Sequence, residues 1–185
     1  MKLSTKELVL AALFAGITAV ASQIAIPLPF SPVPFNMQLF AVALAGGILG
    51  ARLGGLALLV YVLLGAVGLP VYSQMNGGIS ILLGPTGGYL FSFPLAAALI
   101  GYTMEKKSKP AWIFTGFFLA LGLIYTLGLV QLKFVTGMSW KAAYVAGVGP
   151  FIPFDAVKFV TSALLSKAVY QRLRESNLFR WKTHH

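Results

Sequence analysis

Long uncharged, apolar stretches separated by short polar segments organise this chain. No residue is charged between Glu7 and Arg52, none between Arg52 and Glu105, and a third gap runs from Lys109 to Lys133. A helix rises about 1.5 Å per residue and the hydrocarbon core of a bilayer is about 30 Å thick, so one crossing takes about 20 apolar residues. The first two gaps are too long for single crossings, and proline and glycine divide them. A first span is predicted over about 7–26, stopping at Pro27, Pro29, Pro32 and Pro34, which cannot continue a helix. Residues 35–68 would make a rod of about 51 Å. Arg52, beside Gly50, Gly54 and Gly55, therefore reads as a turn between spans at 35–50 and 53–68. A loop rich in Gly, Ser, Gln and Asn follows over 69–83, and further spans are predicted at 84–104, 111–132 and 153–172. The pattern specifies an all-α polytopic integral membrane protein: six transmembrane helices in one membrane domain, residues 1–182. Residues 183–185 are set aside as a possible tag remnant.

Composition sharpens this picture. The chain of 185 residues is 58% hydrophobic, with a mean hydropathy of +0.84; a soluble domain of this size carries more polar surface. Lys2 and Lys6 before an apolar run, with Ala19-Val20-Ala21 after it, outline a signal peptide. Everything downstream is also apolar, so the segment is read as the first span. The net charge of +10 sits in short segments flanking the spans, not on a basic face with interleaved aromatics, which argues against nucleic acid. Eleven basic residues (Lys2, Lys6, Arg52, Lys106, Lys107, Lys109, Lys167, Arg172, Arg174, Arg180 and Lys182) fall on one predicted side, against Lys133 and Lys141 on the other. By the positive-inside rule both termini are cytoplasmic and the protein sits in the cell membrane, multi-pass.

Chemistry is scarce. With no cysteine and only the two terminal histidines, there is no His/Cys metal site and no Ser-His or Cys-His nucleophile. No nucleotide-binding motif is present. The chain reads as a non-enzyme without metal or cofactor. What stands out is Asp155, the only aspartate, followed three residues later by Lys158 inside an apolar stretch. Charges placed in a membrane usually face a partner, a cavity or a ligand, and positions three apart share a helix face. Pro153 suits a first helical turn, which would put Asp155 where the helix dipole favours an anion. The pair reads as a binding site near the outer face; the plainer alternative is a lock between helices.

Other motifs are less decisive. Asn76, among the glycines of the 69–83 loop, offers a donor and an acceptor as part of a lid, or belongs to an ordinary turn. Gly84-Pro85-Thr86-Gly87-Gly88-Tyr89 is either a tight helix entry or a glycine floor at Gly87 over which Tyr89 meets a ligand. Gln38 is suited equally to a helix–helix hydrogen bond and to a ligand contact. Ala11 and Ala15, with Ala12-x-x-x-Gly16 beside them, give the first helix a smooth face for internal packing or for docking a second membrane subunit.

Val33-Pro34-Phe35 with Gln38, Gly68-Leu69-Pro70-Val71, Leu83-Gly84-Pro85-Thr86-Gly87-Gly88-Tyr89 and Pro150-Phe151-Ile152-Pro153-Phe154-Asp155-x-x-Lys158 together resemble the BioY family. These are the biotin-specific substrate-binding S components of energy-coupling factor (ECF) transporters. The likeness runs from about residue 5 to 172, with the motifs in family order. It departs at Phe154, where a glycine is usual, and at Gln74-Met75-Asn76, usually richer in Gly and Ala. The resemblance implies a six-helix S component taking biotin into a pocket near the outer face, closed by loops 27–34 and 69–83. Asp155, Lys158, Asn76, Tyr89, Gly87 and Gln38 are its expected substrate-binding residues. It further implies docking through Ala11 and Ala15 to a transmembrane coupling (T) subunit driven by two ABC ATPase subunits, and leaves room for a homo-oligomer. The competing readings are an S component for another vitamin and a stand-alone secondary transporter using Asp155 as a proton carrier.

Overall fold

The computed structural model describes residues 3–106 and 110–175; the expectation for 183–185 lies outside them. The chain forms α1 (Thr5–Gln23), β1 (Ala25–Leu28), β2 (Ser31–Asn36), α2 (Gln38–Ala66), α3 (Ile79–Leu83), α4 (Gly87–Lys106), α5 (Pro110–Thr136), α6 (Trp140–Gly147) and α7 (Ile152–Glu175). α1 starts on a capping box: Ser4 Oγ accepts from Glu7 N, and the Glu7 carboxylate accepts from Ser4 N at 2.7 Å. Both bonds satisfy donors that a helix start leaves free.

α2 is not one straight rod but two helical limbs that meet at a bend. Gly50 has φ 82° and ψ −179°, a left-handed conformation that glycine adopts without steric cost. A Cβ placed on Gly54 would lie 2.9 Å from the Ala45 carbonyl oxygen, and Gln38 hydrogen-bonds to Tyr61. In a straight helix residues 38 and 61 would be about 35 Å apart, so the chain has turned back on itself. The limbs 38–49 and 51–66 correspond to the spans expected at 35–50 and 53–68. The Glu105 carboxylate accepts from Ala51 N at 2.8 Å and ties the bend to the end of α4. Among the described residues six apolar rods result: α1, the two limbs of α2, α4, α5 and α7. α2 is central, packing against α1, α4 and α7, while α5 packs against α4, α6 and α7.

Two loops differ from expectation. The proline segment is an antiparallel β-hairpin, pairing Ala25 with Asn36, Ile26 with Phe35 and Leu28 with Ser31 around a bulge. Proline forces the residue before it into extended geometry, so Pro27, Pro29, Pro32 and Pro34 extend both arms while thinning the ladder. Within the expected 69–83 loop, residues 79–83 form α3. The first span ends at Gln23 and not at 26, because Ala25 already belongs to β1.

The docking assignment on α1 is corrected. Ala11 is 3% exposed and Ala15 2%, and both lie in the core where α1 meets α2. Their small side chains let the two helices approach closely, so no partner reaches them. The face turned outward carries Leu8, Val9, Leu13, Ile17 and Val20, with Ala12 and Gly16 between them.

Ala15→Leu is expected to destabilise the protein by about 1–3 kcal/mol through overpacking, whereas Ala12→Leu stays within about 0.5 kcal/mol. Thermal unfolding in detergent measures both, and the reverse order would contradict the assignment of faces.

Candidate functional site

At the end of the bundle opposite the α2 bend, the hairpin, the loop before α3 and the starts of α2, α4 and α7 enclose a cavity of about 350 Å³. That is within the range of small-molecule sites. Its walls are mostly apolar: Val33 and Leu39 on one side, Ile81, Leu90 and Phe93 on another, and Phe151 from the turn before α7.

One pair of charged groups lies in this wall. Pro153 falls in the first turn of α7 and puts Asp155 there too, as expected. Asp155 is 4% exposed and Lys158 8%, and Lys158 Nζ lies 2.8 Å from Asp155 Oδ1. The second carboxylate oxygen, Oδ2, accepts from the Tyr125 hydroxyl at 2.8 Å. The ammonium also donates to the Asn36 carbonyl at 2.6 Å and lies 4.0 Å from the centroid of the Phe35 ring, close enough for a cation–π contact. A buried ion pair is stable only when its remaining hydrogen-bonding capacity is also met; here α5 and the hairpin supply the partners. Phe154 points away from the cavity and packs edge-on against Phe35, centroids 5.3 Å apart. It buttresses the ring beneath the ammonium.

The other expected residues divide. Gln38 lines the cavity while its amide donates to the Tyr61 hydroxyl, so it serves packing and lining together. Tyr89 lines the cavity with its ring, and its hydroxyl donates to the Gly147 carbonyl at 2.8 Å, fixing its direction. Asn76 lies at the rim, its amide donating to the Ser73 carbonyl at 2.9 Å. Gly87 does not line the cavity. A Cβ there would strike the Leu82 carbonyl and the Gln131 amide, so this glycine allows close packing and is not a floor for a ligand. Gln131 donates to the Leu82 and Gly84 carbonyls at 2.7 and 2.8 Å and straps that turn to α5.

Sequence reasoning missed Tyr125 and Asn36, both in the wall, where Ser73 and Gln74 of the expected 69–83 lid also lie. Tyr125 is one of four hydroxyl residues in a long, largely apolar helix, with Thr115, Thr126 and Thr136, and only its place on α5 opposite α7 gives it a role. Asn36 acts partly through its backbone carbonyl, which leaves no trace in residue type. Tyr72 anchors the rim: it is buried, and its hydroxyl donates to the Val62 carbonyl at 2.6 Å. Burial pushes its phenol up to about 12, so it stays a donor at neutral pH.

Residues 1–175 match the profile of the BioY family. The chain belongs to the BioY family. Among its relatives, the biotin transporter BioY of Thermotoga maritima is 45% identical over 161 residues, covering 87% of this chain and 94% of the relative. The biotin transporter BioY of Rhizobium etli is 39% identical over 177 residues, covering 90% and 94%. Among solved structures, the S-component for biotin from an ECF-type ABC transporter superposes with a TM-score of 0.82 at 24% identity, covering 94% of this chain and 95% of that one. The S component of a bacterial ECF transporter superposes at 0.55 with 23% identity, covering 95% and 98%. This BioY-family chain therefore has the all-α membrane fold of S components, and its family consists of transport proteins, not enzymes.

Lys158→Met is expected to lower stability by about 3 kcal/mol, because it leaves the Asp155 carboxylate buried without its cation. Combining it with Asp155→Asn should recover at least half of that loss. Chemical unfolding of the ligand-free variants measures the cycle, and strictly additive losses would show that the two groups do not interact.

Proposed function

We propose that this protein is the biotin-binding S component of an ECF-type transporter in a prokaryotic plasma membrane. The observation that carries the reading is a charged acceptor and a charged donor side by side in a mostly apolar cavity: Asp155 Oδ1 and Lys158 Nζ, 2.8 Å apart. A cyclic urea presents an N–H and a C=O next to each other, the complementary pair. Asp155 accepts from a ureido N–H while Lys158 donates to the ureido oxygen. Tyr125 holds the carboxylate so that one oxygen stays directed at the ligand. The thioether ring and the alkyl chain lie against Tyr89, Phe93 and Phe151, and the tail carboxylate reaches the rim, where Ser73, Gln74, Asn76 and Thr86 offer donors. The hairpin, including loop 27–34, and the segment 69–83 close the cavity.

Both termini face the cytoplasm and the cavity opens outward, in keeping with the excess of basic residues on the terminal side. Since the chain has no nucleotide-binding motif, energy for delivery comes from a T subunit and two ABC ATPases, the assembly that ECF-type names imply. The T subunit meets an outward face of the bundle and not Ala11 or Ala15.

Calorimetric titration of the purified protein with biotin tests the ligand. Asp155→Asn and Lys158→Ala are expected to weaken binding at least about a hundredfold, and Tyr125→Phe about tenfold, with each variant still inserted in the membrane. Near-normal affinity in the first two would refute the site. For orientation, Met75 is 66% exposed at the rim and the native chain has no cysteine. An impermeant maleimide should label Met75→Cys in intact cells; labelling only after permeabilisation would reverse the topology.

A further inference from the structure

The last turn of α1 grips the rim of the cavity. The Gln23 amide donates to the Tyr72 carbonyl at 3.0 Å, and its side-chain oxygen accepts from Met75 N at 2.9 Å. Ser22 Oγ donates to the Val71 carbonyl at 2.7 Å, while Ser73 Oγ donates to the Ser22 carbonyl at 3.1 Å. Two adjacent residues of α1 thus hold Val71, Tyr72, Ser73 and Met75, and the segment they hold carries Ser73, Gln74 and Asn76 of the cavity wall.

Beyond Val71 and Tyr72, which α2 also holds through Tyr61 and Val62, that segment has little to hold itself closed. Its internal backbone bonds are Tyr72 N to the Asn76 carbonyl at 2.9 Å and a long one, Asn76 N to the Ser73 carbonyl at 3.4 Å. Gln74 and Met75 are both left-handed, φ 62° and 57°, a conformation uncommon for residues with a Cβ and maintained only where the surroundings impose it. Left-handed Gly68 and Gly78 bracket the segment. On its inner side Asn36 Nδ2 donates to Ser73 Oγ at 2.7 Å, and the same residue's carbonyl receives Lys158. One run of contacts therefore joins the ion pair, the rim and α1.

We infer that Gln23 is a positioning residue: with Ser22 it latches residues 71–76 over the cavity, and the seating of α1's last turn sets how fast bound ligand leaves. The ligand in this statement rests on the biotin reading above; the latch does not. Tight seating of α1 keeps the cavity closed, and a displacement of that turn releases the rim while the Asp155–Lys158 pair itself stays formed.

Two measurements on Gln23→Ala decide it. In the ligand-free protein, amide hydrogen exchange at residues 71–76 should accelerate about tenfold, with α4 and α7 unchanged. Unchanged exchange at the rim, or acceleration spread evenly through the helices, would overturn the latch. With labelled biotin, dissociation should quicken about tenfold while association changes less than about twofold. An unchanged dissociation rate beside accelerated exchange would overturn the claim that the latch governs release. If the wild-type chain binds no biotin, the ligand reading fails by itself and the exchange measurement alone decides the latch.

Discussion

An ion pair held in an apolar bundle is costly unless every lone pair and proton has a place to go, and the placing of Asp155 and Lys158 meets that constraint from several elements at once. The aspartate sits in the first turn of α7, Tyr125 reaches it from α5, and the hairpin brings the Asn36 carbonyl and the Phe35 ring to the ammonium. Removing any of these leaves a charge under-solvated in low dielectric. The hairpin, the rim and the start of α7 are therefore constrained jointly, and joint constraint of this kind reduces the ordering cost of binding.

The bend at Gly50 is what makes room for that arrangement. Folding α2 back on itself brings Gln38 and Tyr61 together, and Tyr61 in turn donates to the Val71 carbonyl at 3.0 Å. The central hairpin of helices thus carries the rim on one limb and the end of the β-hairpin on the other. At the far end, the hydrogen bond from Ala51 to Glu105 closes the turn. Rigid helix pairing below and a thinly bonded rim above divide the molecule into a fixed cup and a segment held by side chains.

Much of this was legible in the residues, for definable reasons. Apolar runs with charged interruptions specified six rods, and Arg52 among glycines located the bend. The solitary aspartate, with a lysine on the same face and Pro153 just before it, pointed to two residues that the structure places in the cavity wall. Where the reading failed, residue type carried too little information. Ala11, Ala12, Ala15, Gly16 and Ala19 spread small residues around much of α1, so sequence alone did not tell which side meets α2; the structure buries Ala11 and Ala15. Gly87 resembles a ligand-facing glycine until the Leu82 carbonyl is seen against it. The hairpin was hidden because prolines announce the end of a helix and are poor formers of strands. Tyr125 and the Asn36 carbonyl act through tertiary placement alone.

The central claim is that Lys158 donates to the ureido oxygen of biotin while Asp155 accepts from its N–H. 2-Iminobiotin replaces that oxygen with a nitrogen, and its cyclic guanidine is protonated at neutral pH, so an N–H donor and a positive charge would face the ammonium. Calorimetry of biotin and 2-iminobiotin on the wild-type protein and on Lys158→Met tests the claim most directly. The account predicts a large preference for biotin in the wild type that shrinks markedly in Lys158→Met. The same preference in both proteins would contradict it.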